Sequence, residues 1–421
     1  MSILFWLFSL IVVGYIVILI SYLFVRINKF KIYSYSFKNY FSLLMLLGVI
    51  VLFYLFEIYL NFLNQELLLI LSYTFLFIFV VIILFKSLFI IIQSIRFKFM
   101  KQLSIQKEPF VSVIVPIFRK EKIISKSINS ILNNNYLNKE IIAVYDDEND
   151  LAVKILKKEF NGKIKLIKNI SRGKWSALNT GIKNAKGEII VNVDSDTIIE
   201  KDGIENLVKN LLKQNVDAIG SNVVVKNNFI IEKEYQINVV ERRLVLAPNG
   251  FSLIAGNFGA FKKESFEKIN YSNKTLCEDF DLVQEFHKQN LKTSFAQDVI
   301  AYDSLPMNFV NFIKQRNRWF RGIVQVVNNN RKFSWKNIWI NFNLLEMPIF
   351  SQIIFIWFII FFFLTNNYSL FFLFFTMFFI SDLISITIIS KDNIFKTIFY
   401  TLMFQIYIYY LNFIKVICTI E

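Results

Sequence analysis

Residues 188–196 have the sequence EIIVNVDSD, in which an apolar run leads directly into two aspartates. Short apolar runs rich in β-branched residues are typical of strands buried inside a parallel sheet. The runs VSVIV at 111–115 and EIIAV at 140–144 have the same character. Helical patterns separate or follow these runs, at 120–132, 151–160, 175–185 and 203–212. Helices that alternate with strands predict an α/β fold, with a mostly parallel sheet and helices on both of its faces.

Acidic residues stand at the ends of two of these predicted strands. Asp146 and Asp147 follow one of them, and Asp194 and Asp196 follow another. Ligands of such sheets bind beyond the carboxyl ends of the strands, so we expect both clusters at one edge. Carboxylates held close together repel each other, and a divalent cation that also binds phosphate oxygens relieves the repulsion. A D-x-D pattern alone is common by chance, and solvated loops are the alternative interpretation of these acids.

The composition favours a membrane protein with a soluble insert. Of the 421 residues, 55% are hydrophobic and 48 are Phe, which is more apolar than is usual for a soluble protein. Six segments are long and apolar enough to cross a hydrocarbon layer of about 30 Å. They are 2–25, 41–63, 67–85, 347–364, 370–389 and 394–417. The predicted domains are a transmembrane bundle over 1–98, a soluble domain over 105–304, amphipathic interface helices over 305–346 and a second transmembrane bundle over 347–421, with about three helices in each bundle.

The distribution of charge predicts the orientation of the chain. Arg26, Lys29, Lys31 and Lys38 lie between the first two spans, whereas 64–66 contains no basic residue. Basic residues favour the cytoplasmic side, so we predict a multi-pass protein of the cell membrane whose soluble domain is cytoplasmic. The net charge of +15 suits anionic partners, either phosphate groups or acidic lipid headgroups. The tight basic clusters that nucleic-acid binding favours are absent from the sequence, so nucleic acid is not an expected partner.

Few residues are available for other kinds of chemistry. Cys277 and Cys418 are the only cysteines, and their separation indicates neither a disulfide framework nor a zinc site. His287 is the only histidine, which argues against histidine triads and histidine metal clusters. Acid–base chemistry therefore falls to carboxylates.

The segment from 309 to 327 predicts an amphipathic helix. At 100° per residue its apolar side chains form a stripe about 120° wide. The stripe contains Phe309, Phe312, Ile313, Phe320, Ile323, Val324 and Val327. Gln315 and Arg318 lie opposite the stripe and Trp319 lies at its edge, whereas Arg316 falls inside it and is expected to extend toward lipid headgroups. We expect the helix to lie in the membrane interface and to present the first three residues to the soluble domain. An ordinary amphipathic helix with a structural Trp is the alternative.

These motifs, in their order and spacing, resemble those of the membrane-integrated branch of the family 2 glycosyltransferases, which includes cellulose, hyaluronan and poly-N-acetylglucosamine synthases. The resemblance extends from Phe110 to Gly322 and implies a GT-A-like fold. Its segments are the opening strand at 111–116, G-K-x-x-A-L-N-x-G at 173–181, D-x-D at 194–196, a small-residue acceptor loop at 254–261, C-E-D at 277–279 where T-E-D is usual, and Q-x-x-R-W at 315–319.

Two segments depart from the family pattern. The usual P-x-Y-N-E becomes PIFRKE, which keeps Pro116 and Glu121 but loses the Asn. The usual D-D-G-S-T-D is shortened to DDEND, which begins with Asp146 and Asp147. Both segments contact the nucleotide base in relatives, so the resemblance implies donor contacts for these four residues and leaves the base preference open.

The resemblance implies inverting transfer from a nucleotide sugar, most simply a UDP-sugar, in one in-line displacement. Asp279 is the implied base, with Glu278 as its neighbour. Asp196, helped by Asp194, is implied to hold Mg²⁺ or Mn²⁺ against the diphosphate. The implied donor contacts also include Lys174, Gln315 and Arg318, and the implied acceptor contacts are Trp319, Gly256, Phe258 and Gly259.

Three functions are compatible with these motifs. The leading hypothesis is a processive synthase that extends a β-linked polysaccharide at the cytoplasmic membrane face and exports it. The alternative is a non-processive enzyme that transfers a single sugar to a membrane lipid. A non-enzymatic scaffold or transporter is the third, and the retention of every motif carboxylate argues against it.

Overall fold

The computed structural model describes residues 108–118, 121–225, 254–304 and 309–329, together with a few single positions. The six predicted membrane spans lie outside these four segments, as do residues 330–346 of the predicted interface region. Within the described segments, no helix combines the length and the apolar character needed to cross a membrane. The elements below belong to one compact unit of the chain, Ser87–Pro348 with Asp382–Glu421.

Eight strands form one sheet in the described part of the chain. They are β1 (Val111–Ile117), β2 (Lys139–Tyr145), β3 (Lys165–Lys168), β4 (Ile189–Val193), β5 (Ile198–Ile199), β6 (Ala218–Val225), β7 (Phe258–Lys262) and β8 (Thr293–Asp303). Their spatial order is β3-β2-β1-β4-β7-β6-β8-β5. The three strands predicted from apolar runs are confirmed as β1, β2 and β4, and these strands lie side by side.

The sheet is parallel in one half and mixed in the other. β1 pairs in parallel with β2 and with β4, and β2 pairs in parallel with β3. β7 runs antiparallel to both β4 and β6, and β5 runs antiparallel to β8, whereas β6 and β8 are parallel. The prediction of a mostly parallel sheet is right for the half from β3 to β4. It is wrong for the other half, because the strand pairs beyond β4 are partly antiparallel and partly parallel.

Helices cover both faces of the sheet, as predicted. Those described are α1 (Ile124–Leu132), α2 (Leu151–Glu159), α3 (Lys174–Asn184), α4 (Gly203–Lys213), α5 (Glu278–Lys288) and α6 (Phe309–Asn329). Neighbouring residues of β1 enter two different cores, because side chains alternate along a strand. Val113 packs with Ile128 of α1 and Leu207 of α4, whereas Ile114 packs with Leu178 of α3 and with apolar residues of α5.

The amphipathic helix predicted at the end of the domain is confirmed as α6. Val326 packs into the core beneath α3 and α5, and Phe312 packs with Val225 at the end of β6. Arg316 is fully buried, with its guanidinium carbon 4.4 Å from the ring centre of Phe312 and 4.3 Å from that of Trp319. The prediction that Arg316 extends toward lipid headgroups is wrong, because two rings of its own helix enclose the cation.

Candidate active site

Both acidic clusters lie at the carboxyl edge of the parallel strands. β2 and β4 flank β1 in the same direction, so Asp146 after β2 and Asp194 after β4 emerge on the same side. Asp194 begins a tight turn: its N–H donates to the carbonyl of Asn257 at 3.0 Å, and its own carbonyl accepts from the N–H of Thr197 at 2.9 Å. The turn fixes Asp194 between β4 and the segment that leads into β7.

The loop before α3 connects the two clusters. One oxygen of Asp146 accepts from Asn169 Nδ2 at 2.6 Å, and the other accepts from the N–H of Gly173 at 3.0 Å. Gly173 has a φ of 115°, which side chains with a Cβ rarely adopt, so this position requires glycine. The next residue, Lys174, begins α3 and extends its ammonium to Asp194.

The ammonium of Lys174 is the centre of an ion-pair cluster. Its Nζ lies 2.7 Å from Oδ1 and 2.8 Å from Oδ2 of Asp194, and 3.3 Å from Oε1 of Glu278. Burial favours the neutral amine, but the charges of Asp194 and Glu278 outweigh it and raise the pKa of Lys174. A single permanent cation therefore joins the end of β4, the start of α3 and the start of α5.

The first turn of α5 holds the carboxylate implied as the base. Oδ2 of Asp279 accepts from the N–H of Gly256 at 2.9 Å, and Oδ1 accepts from the N–H of Phe280 at 2.8 Å. A Cβ at Gly256 would lie 3.2 Å from Asp279 Oδ2 and 3.3 Å from Lys174 Nζ. The structure thus brings Gly256, Asp279 and Lys174 together, and it leaves little space for a side chain at position 256.

Burial and neighbouring charges give the three carboxylates of this cluster different proton affinities. Burial raises the pKa of Asp279, and the adjacent charge of Glu278 raises it further. Burial would also raise the pKa of Glu278, but the cation of Lys174 outweighs it and lowers that pKa. Burial raises the pKa of Asp194 to about 6 against the opposing charge of Lys174. Adjacent carboxyls whose pKa values move apart are typical of acid–base sites.

Tyr271 is a residue of this site that sequence reasoning missed. Its side chain is buried, and Asn192 of β4 donates to its hydroxyl. Asn179 of α3 holds its backbone through two hydrogen bonds, of 2.9 and 3.0 Å. Burial raises the pKa of Tyr271, and the charges of Lys174 and Glu278 also act on its hydroxyl. Asn179, the Asn of the motif at 173–181, was the one sequence signal that could have indicated a hydrogen-bonding partner such as Tyr271.

Two of the residues implied as acceptor contacts lie in the sheet. Phe258 is fully buried in the core shared with α1 and α4, and it begins β7. A Cβ at Gly259 would lie 2.8 Å from Cγ2 of Ile254. The neighbours of both positions are core residues, and β7 is hydrogen-bonded on both sides. Phe258 and Gly259 are thus packing residues at the start of β7, and Gly256 lies two residues before this strand.

The residues implied in contacts with the nucleotide base differ in their exposure. Pro116 is buried in β1, opposite Val144 of β2, and Glu121 lies half-buried in the turn before α1. Residues 119–120, between them, lie outside the described part of the chain. Asp147 is exposed, and one of its oxygens accepts from the N–H of Asn149 at 2.9 Å.

α6 holds the loop that leads into α5. Arg318 is exposed and donates through Nη1 to the carbonyl of Leu276 at 3.3 Å, and the N–H of Leu276 donates to Oε1 of Gln325 at 2.9 Å. The thiol of Cys277 donates to the carbonyl of Trp319 at 3.4 Å. The position of the two carboxylates that follow this loop therefore depends on α6.

Gly322 permits the close approach of α6 to Cys277, because a Cβ at this position would overlap the sulfur of Cys277. Burial raises the pKa of Cys277, which keeps the thiol protonated as a donor. Gln315 is half-buried, and its Oε1 accepts from Nη1 of Arg316 at 2.9 Å. Of the three motif residues on α6, Arg318 and Trp319 contact the loop directly, whereas Gln315 contacts the buried arginine beside it.

The D-x-D pair has the donor chemistry that a hard divalent cation needs. Among the described residues, no group of three or more His, Cys, Asp or Glu side chains is placed to hold a metal. A cation bound to a nucleotide needs only one or two protein carboxylates. The charge of Asp196 contributes to the raised pKa of Asp194, and Oδ2 of Asp196 accepts from Oγ of Ser304 at 2.6 Å. The chemistry of these two carboxylates suits a cation that shares its ligand shell with a diphosphate.

Comparison with known proteins shows which family and which relatives this chain resembles. The family described as Glycosyl transferase family 2 matches residues 112–270. The poly-β-1,6-N-acetyl-D-glucosamine synthase of Staphylococcus aureus strain COL is 26% identical over 259 residues, which are 56% of this chain and 63% of that protein. The synthase of the same name from Staphylococcus epidermidis is 25% identical over 261 residues, which are 57% of this chain and 63% of that protein. The match thus spans less than two thirds of these relatives.

A solved structure has a similar fold. The mannosyltransferase PcManGT from Pyrobaculum calidifontis, in complex with GDP-mannose and Mn²⁺, aligns with a TM-score of 0.51 and 17% identity, over 80% of this chain and 95% of that chain. This likeness confirms a GT-A-like α/β fold. The family match indicates that residues 112–270 are similar to a glycosyltransferase domain of family 2, whereas the structural likeness bears on the fold alone.

Proposed function

We propose that the protein transfers sugar units from a nucleotide sugar to a growing β-linked polysaccharide, with inversion at the sugar carbon. The observation that carries this proposal is the position of Asp279, whose half-buried carboxylate lies beside the Lys174 cluster. In the proposed step the acceptor hydroxyl oxygen bonds to the anomeric carbon as the bond to the diphosphate breaks. The hydroxyl proton passes to Asp279, and the diphosphate departs with the bonding electrons.

The raised pKa of Asp279 supports its role as the base. A carboxylate of ordinary acidity holds a proton weakly, whereas burial and the charge of Glu278 make Asp279 more basic. Its hydrogen bond from Gly256 fixes one oxygen, so the carboxylate has a defined orientation. The charge of Lys174 lowers the pKa of Glu278, which therefore keeps its negative charge while its neighbour titrates.

Charge on the departing diphosphate needs compensation, and the site contains several groups for it. Lys174 is assigned to the phosphate oxygens, and Arg318 and Gln315 approach from α6. Asp196, with Asp194, would hold Mg²⁺ or Mn²⁺, which supplies charge neutralisation at the diphosphate when it is bound. Asp146 and Asp147, at the exposed corner, are assigned to the base or ribose of the donor, which we propose to be a UDP-sugar.

The chemical class of the acceptor is proposed from the names of the related proteins. Both synthases reported above are named for a polymer of N-acetylglucosamine, which favours a glycan acceptor. In this proposal Trp319 holds the terminal sugar against its ring, and the chain is exported through the membrane bundles predicted outside the described residues. Transfer of a single sugar to a membrane lipid is the alternative, because it requires the same base and donor contacts.

The activity is tested by incubating the purified full-length protein with labelled UDP-sugars and GDP-sugars and sizing the products. We expect the sugar of one donor to be incorporated into a long polymer, and we expect incorporation by Asp279→Asn to fall by about 10²-fold or more. A labelled lipid carrying one sugar as the sole product would replace the polymer hypothesis by the alternative. No transfer or hydrolysis of any donor by the parent protein would refute the enzymatic proposal itself.

Trp319→Ala separates the two acceptor hypotheses further. Stacking on an aromatic ring contributes about 0.5–1.5 kcal/mol beyond burial, and a processive enzyme loses it at every addition. We expect much shorter polymers, with donor hydrolysis by water retained. If the parent yields only singly glycosylated lipid and the variant simply makes less of it, the lipid-transferase hypothesis is correct.

The membrane location is proposed from the apolar segments and the charge distribution. Cysteine replacements at Asp147, Arg318 and Asn366, made in a background without Cys277 and Cys418, can be labelled from outside intact cells. We expect an impermeant reagent to modify only position 366, because the other two positions are proposed to be cytoplasmic. Labelling at position 147 from outside would reverse the proposed orientation.

A further inference from the structure

Lys174 binds the carboxylate that the divalent cation is proposed to use. Its Nζ lies within 2.8 Å of both oxygens of Asp194, and it also contacts Glu278 at 3.3 Å. A divalent cation that approaches Asp194 must therefore displace an ammonium or bind beside it. Two cations at one carboxylate repel each other, so the protein alone is a poor site for the metal.

The diphosphate of the donor changes this balance. Its oxygens offer Lys174 a new anionic partner, and at the same time they add ligands for the metal. The Lys174 side chain is about one third exposed, at 34%, so it is partly accessible to a ligand in solution. Its backbone is fixed at the start of α3 by the bond between Gly173 and Asp146, so only the flexible side chain needs to move.

We propose that Lys174 couples metal binding to donor binding, because its ammonium opposes the divalent cation at Asp194 until a diphosphate draws it away. The inference rests on the proposed function, since it takes the ligands to be a nucleotide diphosphate and a divalent cation. Coupling between two ligands is reciprocal, so the metal must strengthen nucleotide binding by the same factor by which the nucleotide strengthens metal binding. Loss of the ammonium weakens this coupling in both directions.

Binding of Mn²⁺ to the purified full-length protein tests this proposal without measuring catalysis. Free Mn²⁺ is followed by electron paramagnetic resonance, first with the protein alone and then with saturating UDP or GDP, whichever binds. We expect the parent to bind Mn²⁺ at least about tenfold more tightly with the nucleotide than without it. We expect Lys174→Gln to bind Mn²⁺ alone at least about tenfold more tightly than the parent does. The gain that the nucleotide adds should be smaller in this variant.

Three further variants make the interpretation specific. Lys183→Gln removes an exposed charge from the same helix and should bind Mn²⁺ as the parent does. Lys174→Arg keeps a cation and should also resemble the parent. Asp194→Asn in the Lys174→Gln background should abolish the gained affinity, which places the bound metal at the D-x-D turn. The thermal midpoint of each variant shows whether its fold is intact.

Several outcomes would overturn the proposal. Equal Mn²⁺ affinity of the parent with and without a bound nucleotide would do so without any variant, even if Lys174→Gln fails to fold. An unchanged affinity in folded Lys174→Gln, or the same gain in Lys183→Gln, would do so as well. If neither UDP nor GDP binds the parent, the proposed donor class fails, while the Mn²⁺ affinities without nucleotide still decide the role of Lys174.

Discussion

Two pairs of adjacent acidic residues, Asp146 with Asp147 after β2 and Glu278 with Asp279 at the start of α5, have different surroundings. Asp147 is exposed and Asp146 is half-buried, and both accept hydrogen bonds from neighbouring backbone or amide groups. Glu278 and Asp279 are half-buried beside the Lys174 cation, which lowers the pKa of Glu278, whereas burial and the charge of Glu278 raise the pKa of Asp279. The first pair is suited to hydrogen bonding with a ligand, whereas the pair beside Lys174 is suited to exchange a proton.

The largest effect that this contrast predicts is in Asp279→Asn. The amide keeps the shape of the side chain but removes the proton acceptor, so we expect kcat to fall by about 10²- to 10⁴-fold. Initial rates of sugar transfer with saturating donor measure the effect. Near-normal turnover in this variant would show that another group is the base.

Gly256→Ala should have the next largest effect. The new Cβ would press on Asp279 and Lys174, and small displacements at a reacting centre cost up to about 100-fold in rate. We expect kcat to fall by about 10- to 100-fold. Gly203→Ala is the matched control, because a Cβ there makes only ordinary contacts of 3.6 Å with Ile199 and Phe258. Equal losses of activity in both variants would mean that a general effect on folding is responsible.

Glu278→Gln should shift the pH dependence. Asp279 must be ionised to accept a proton, so activity is present above its raised pKa and is lost as the pH falls through it. The charge of Glu278 is one cause of that raised pKa, and its removal lowers the pKa. We therefore expect the acidic limb of kcat/KM to move to lower pH. A limb that stays in place or moves to higher pH would contradict the proposed coupling of the two carboxyls.

The smallest effect is expected for Asp147→Asn. The side chain is exposed, and a hydrogen bond of this kind contributes about 0.5–1.5 kcal/mol, or about 2- to 10-fold in affinity. The loss should appear in the KM for the donor and leave kcat within about threefold of the parent. A large fall in kcat would remove the distinction between the pair Asp146 and Asp147 and the pair Glu278 and Asp279.

The sequence predicted three of the four strands in the parallel half of the sheet because those three are largely buried, whereas the more exposed β3 was not predicted. Buried parallel strands produce continuous apolar runs, and β1, β2 and β4 were found in this way. β7 was predicted only as part of a loop, because its five residues contain a glycine and no alternating pattern. Its place in the sheet depends on pairing with β4 and β6, which are distant in the chain.

The candidate site was predicted as a set of motifs but not as a set of contacts. The order of the motifs indicated Lys174, Asp194 and Asp279, yet nothing in their spacing predicts that the lysine pairs with two carboxylates. Such pairs depend on how three elements meet. Tyr271 and Arg316 were missed or misplaced for the same reason, since burial of each is decided by tertiary packing.

Donor affinity in two variants tests the division between the two pairs most directly. UDP-sugar or UDP is titrated calorimetrically into Asp279→Asn and into Asp146→Asn, beside the parent. Asp146 orients the loop that carries Lys174, so we predict that its variant binds the nucleotide at least about tenfold more weakly. We predict that Asp279→Asn, which has lost turnover, binds it no more weakly than the parent. The opposite pattern, with donor binding lost in Asp279→Asn and intact in Asp146→Asn, would contradict the account.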